Sequence, residues 1–87
     1  MAEEGTLGIV RRGTRYQVRY ASNNPYAQER PPHACHDEET LRTFLHHLGA
    51  DGASIRQACV DVRKAGLAVL PIVLSLGQIQ AYFRPPT

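Results

Sequence analysis

Residues 6–21 constrain this chain more than any other stretch. Tyr16-Gln-Val-Arg-Tyr20 alternates apolar and polar residues with the period of a half-buried strand, and it uses strong strand formers. Thr6 to Arg12 precedes it, and Gly13-Thr14 between them is a two-residue loop whose leading glycine suits a type II′ turn. The hairpin register follows. Arg12 stands opposite Arg15, Ile9 opposite Val18, and Leu7 opposite Tyr20. Leu7, Ile9, Tyr16, Val18 and Tyr20 then share one face. Arg12, Arg15, Gln17 and Arg19 share the other with Gly8 and Val10. One face is suited to a core and the other is rich in arginine.

The rest of the chain supplies layers to cover the apolar face. Residues 1–5 are expected to be a frayed terminus. Residues 22–36 hold Asn23-Asn24-Pro25 and Pro31-Pro32 and read as a long surface connection, with a short edge strand near His33–His36. Asp37 to Leu48 is the clearest helix. Its apolar stripe is Leu41, Phe44, Leu45 and Leu48, with Asp37 or His36 as cap and Gly49 as stop. Asp51 can cap a second helix to about Ala65, with Ile55, Ala58, Cys59 and Val62 inward and Gly66 as stop. Leu67 to Leu74 reads as a buried strand that Pro71 places near an edge. Ser75-Leu-Gly-Gln78 fits a capping box, which predicts a short helix from Leu76 to Phe83 ended by Pro85-Pro86. Because Ile79, Ala81 and Phe83 also alternate with polar residues, a strand is the alternative there. The expected fold is a single two-layer α+β domain over 1–87. A small antiparallel or mixed sheet, the hairpin plus a C-terminal strand, packs on two or three helices in the order ββααβα.

Composition limits the function classes. A chain of 87 residues buries only about 60–65% of its unfolded surface, so stabilisation by a partner or a second copy would not be surprising. Two cysteines, Cys35 and Cys59, are too few for a secreted disulfide scaffold. The N-terminus lacks a signal-peptide pattern, and Pro71 interrupts the longest apolar run. A cytoplasmic protein with reduced thiols and no membrane contact is expected. The net charge of +2 decides nothing, but its distribution is uneven. Arg11, Arg12, Arg15 and Arg19 fall within nine positions that hold no acid. Nine of the ten basic residues are arginine, a bias that a GC-rich genome would also produce.

Two constellations bear on chemistry besides the arginines. His33, Cys35 and His36 are potential zinc ligands, but they are too crowded to bind one ion together. His46 and His47 diverge on their helix, and Cys59 belongs to an apolar stripe. Cys35 beside a histidine is a conceivable nucleophile. Asp37, Glu38 and Glu39 would raise its pKa, however, and sequence neighbours rarely reach catalytic geometry. Neither a phosphate-cradling glycine loop nor a Ser-His-Asp spacing is legible. The expectation is a non-enzymatic binding module with no cofactor, no metal and no small-molecule substrate.

Gly8-Ile-Val-Arg-Arg-Gly-Thr-Arg-Tyr-Gln-Val-Arg-Tyr20 resembles the first hairpin of the arm-binding domains of phage-type tyrosine recombinases. In that family a small three-stranded sheet backed by one helix lies in the DNA major groove. The resemblance covers residues 8–48. It implies that the third strand comes from Arg30-Pro-Pro-His-Ala-Cys-His36 and the backing helix from Asp37 to Leu48, while residues 51–87 have no counterpart. Nucleic-acid binding is therefore expected through Arg11, Arg12, Arg15, Gln17 and Arg19. A solvated sheet face guarded by arginines would show the same pattern. The alternative function is a protein-interaction or regulatory module, with a homodimer as one form.

Overall fold

In the computed structural model, residues 2–83 are described. The chain runs β1 (Ala2–Arg12), β2 (Arg15–Ser22), β3 (His33–Cys35), α1 (Glu38–His47), α2 (Gly52–Ala65), β4 (Leu67–Ser75) and α3 (Leu76–Tyr82). The four strands form one antiparallel sheet in the order β3-β2-β1-β4. This is the expected two-layer α+β architecture, with His33–Cys35 as the additional short strand.

The hairpin has the register its turn dictates: Arg12 pairs with Arg15, Ile9 with Val18 and Leu7 with Tyr20. Gly13 carries φ +66 while Thr14 stays out of the left-handed region, as a II′ turn requires. Residues 2–5 are not frayed. They extend β1 and pair with Ile72–Ser75 of β4, which supplies their missing backbone partners.

Helix ends follow the caps. The Asp37 carboxylate accepts the Thr40 N–H at 2.7 Å, and the Asp51 carboxylate accepts the Ser54 N–H at 2.8 Å. At Ser75 the capping box is complete: its Oγ accepts the Gln78 N–H at 3.1 Å, and Gln78 Oε1 accepts the Ser75 N–H at 3.0 Å. That reciprocal cap selects helix over strand at residues 76–82. The expected stop at Pro85-Pro86 lies outside the described residues.

The helices lie on one face of the sheet. Leu7, Ile9, Val18 and Leu74 meet Leu41, Leu45, Ile55, Val62 and Ile79 there, all essentially inaccessible to water. Phe83 closes the end of this core. Its ring stacks on Tyr20 at 5.7 Å and meets Phe44 edge-on at 5.9 Å. The Arg30 guanidinium donates to the Phe83 carbonyl at 3.0 Å and pins the long 23–32 connection to the C-terminal segment. The Tyr20 hydroxyl, on the rim of the core, donates to Glu3 Oε1 at 3.1 Å. Burial, followed by the Glu3 carboxylate, pushes its pKa up to about 12.

β4 departs from the expected buried strand. Ala68, Leu70 and Leu74 enter the core, but Leu67, Val69 and Val73 are 50, 62 and 56% exposed. An antiparallel strand in a two-layer fold has only one covered face, and every helix here is on that side.

Candidate nucleic-acid interface

The face of the sheet opposite the helices is left uncovered by the described residues. Strand pairing arranges it in rows. Leu67, Val10 and Gln17 form one row, Val69, Gly8 and Arg19 the next, and Pro71, Thr6 and Ala21 a third. A side chain added at Gly8 would meet nothing within 4 Å, so the centre of this face is open. Arg15, Gln17 and Arg19 alternate along β2 at about 6.8 Å intervals. Arg12 extends the same side across the turn, and Arg12, Arg15 and Arg19 are exposed.

Arg11, named with these residues as a nucleic-acid contact, lies outside this row, as the hairpin register implies. Arg11 pairs with Tyr16, so its side chain leaves from the core side of the sheet, beyond the last buried layer. Paired residues of antiparallel strands share a face, and a shift of one position along β1 reverses it. Arg11 nevertheless stays at the hairpin tip. β4 ends its pairing at Leu67, opposite Val10, and β3 ends at Cys35, opposite Tyr16. The Arg11 N–H still donates to the Gly66 carbonyl, and past it only Arg12 and Arg15, flanking the turn, extend as a two-stranded tip.

The electrostatics of that tip are unbalanced. Arg12 and Arg15 stand directly opposite each other, where like charges are unfavourable. Among the described residues the ion pairs are His36–Asp37, Arg42–Glu38 and Arg63–Glu38, and none involves the hairpin arginines. Glu4 sits near the far end of this face opposite Val73, about 27 Å along β1 from Arg12, and Glu29 of the connection lines a cleft beside Arg19.

The other candidate constellation does not converge. Cys35 faces the core at 1% exposure, opposite Tyr16. Burial, assisted by Asp37, pushes its thiol up to about 11, so it is protonated at neutral pH. The His33 ring lies flat on Phe44, with centroids 3.9 Å apart. His36 points to solvent, with Nε2 3.2 Å from the Asp37 carboxylate. Cys59 belongs to the α2 core stripe. Among the described residues no three histidine, cysteine or acidic side chains gather where they could hold a metal ion. No described helix is long and apolar enough to cross a membrane.

Sequence reasoning missed the apolar half of the open face. Leu67, Val69, Pro71 and Val73 line it along β4, beside Val10. No polar alternation marks them, so the segment read as buried on both sides. The chain matches no family model, no curated protein and no solved structure.

Proposed function

We propose that this chain is a non-enzymatic module that binds duplex nucleic acid through the arginine side of its open sheet face. Arg12, Arg15 and Arg19 contact phosphate, Gln17 lies between them, and Arg11 reaches the backbone from the other side of the tip. The observation that carries this reading is the opposed pair Arg12 and Arg15, exposed on a ribbon that clears its neighbouring strands. A polyanion relieves their mutual repulsion. A two-stranded ribbon has the width that a major groove of about 12 Å admits. Tyr16 and Tyr20 are committed to the core, so the strands of this face present no aromatic ring for stacking, which favours duplex over single strands. The resemblance of residues 8–20 to the first hairpin of the arm-binding domains motivates the same reading.

Fluorescence anisotropy with a labelled duplex of about twenty base pairs tests the proposal. Four phosphate contacts, that of Arg11 included, give a log–log salt slope of about −3.6, or roughly 150-fold weaker binding from 50 to 200 mM salt. The R12A/R15A/R19A variant should keep its circular dichroism spectrum and lose binding. Wild-type protein that shows no binding at 50 mM salt would sink the idea.

The apolar half of the face favours a second reading, a protein-interaction module that self-associates. Leu67, Val69 and Val73 expose roughly 300 Å² there, which an ordinary monomer tolerates and which falls below the ~800 Å² per partner of a stable complex. Sedimentation at 10–100 µM, roughly the range in which so small an interface would assemble, distinguishes a dimer from a monomer.

A further inference from the structure

The outer edge of β4, among the described residues, carries backbone groups that no other strand of the sheet pairs. The Arg11 N–H donates to the Gly66 carbonyl at 3.0 Å. That bond sets the alternation along β1 and β4, so Ala68, Leu70, Ile72 and Leu74 turn their backbone groups toward β1. Leu67, Val69, Pro71 and Val73 turn theirs the other way, where no strand of the described residues lies. Three N–H groups and four carbonyls therefore line the free edge, interrupted only at Pro71, which has no N–H to offer. Beside this edge runs a groove between β4 and α2. Two clefts of about 510 and 180 Å³ share Ser54, Leu70 and Pro71 and so adjoin along the strand. Asp51 and Asp61 line the clefts on the α2 side, Glu4 borders the larger one from the open face, and no lysine, arginine or histidine lines either. Ala50, Ala58 and Ile72 add apolar surface.

We infer that this groove accepts an extended, arginine- or lysine-bearing segment of a partner protein, added to β4 as a fifth strand. Main-chain bonds to Val69 and Val73 hold the segment, and alternate side chains meet the carboxylates. A second copy joined edge to edge does not fit. It would bring two acidic grooves together and set each Pro71 where a ladder bond is needed.

A fluorescein-labelled heptapeptide of alternating arginine and valine is the probe, titrated into the full chain at 50 mM salt. It is compared with a glutamate–valine counterpart and with an arginine–valine peptide N-methylated at alternate backbone nitrogens. The basic peptide should bind and shift the Val69 and Val73 amide resonances. N-methylation should weaken it at least about ten-fold, the loss of two or more hydrogen bonds of about 1 kcal/mol each. V73P removes an outward N–H without touching the β1 ladder and should weaken it several-fold, while D61N reduces the preference for the basic peptide. If the glutamate peptide binds as well, or if the basic peptide at 1 mM moves neither amide, the inference is overturned.

Discussion

Replacing Phe83 by alanine tests whether α3 is integral to the fold. Phe83 is fully buried at the end of a seven-residue helix and touches both Tyr20 and Phe44. Truncating a buried phenylalanine costs about 3–5 kcal/mol through lost transfer energy and the cavity left behind. The two aromatic pairs place this site in the upper half of that range. At about 0.05–0.15 kcal/mol per residue, 87 residues hold only roughly 4–13 kcal/mol in total. F83A should therefore lose about 4 kcal/mol and lower Tm by roughly 15–30 °C. Urea unfolding followed by circular dichroism measures it. F83L keeps most of the volume and should lose about half as much. Q80A, exposed on the same helix, should stay within about 0.5 kcal/mol of wild type. A loss below about 1.5 kcal/mol for F83A would refute the reasoning, because α3 would then lie on the core without completing it.

Two further outcomes follow from single positions. A methyl group at Gly5 would sit 2.5 Å from Tyr20 Cε1 and 2.6 Å from the Ala21 carbonyl oxygen, so G5A should destabilise by about 1–3 kcal/mol. G8A, on the open face, should be neutral or stabilising by up to about 1 kcal/mol, and equal effects in thermal melts would contradict the assignment of faces. Asp37 and Asp51 are held below their ordinary carboxylate value of 3.8, chiefly by the N–H groups they cap, and Glu38 below 4.5, chiefly by Arg63. Groups with depressed folded pKa contribute stability above their unfolded values and lose it as pH falls through the folded ones. Stability should thus hold down to about pH 4.5 and fall below pH 3.8, and D37N/D51N should flatten that fall.

The hairpin register was legible because a two-residue turn leaves few alternatives and the strand period is two. The helix caps were legible because Asp37, Asp51 and Ser75 act on N–H groups only three residues away. The candidate site was only partly legible. Arg12, Arg15, Gln17 and Arg19 share the open face as the alternation requires, whereas Arg11 belongs to the opposite face by a single step of register. The potential ligands His33, Cys35 and His36 read as a cluster because they are close in sequence. Pairing with β2 sends Cys35 inward and lays His33 on Phe44.

What the sequence alone determined is the set of local elements, since turns, caps and periodicity act within a few residues. Which side of each element is covered was decided only by tertiary structure. β1 pairs with β2 through a turn of two residues, but its other edge pairs with β4 about sixty positions away. No local signal encodes that partner. It is chosen by burying Ala68, Leu70 and Leu74 under α2 and α3, and the same choice leaves Leu67, Val69 and Val73 in water. The long-range pairing therefore turned an apolar run into an open edge beside an acidic groove, and left the arginine ribbon clear of its neighbouring strands.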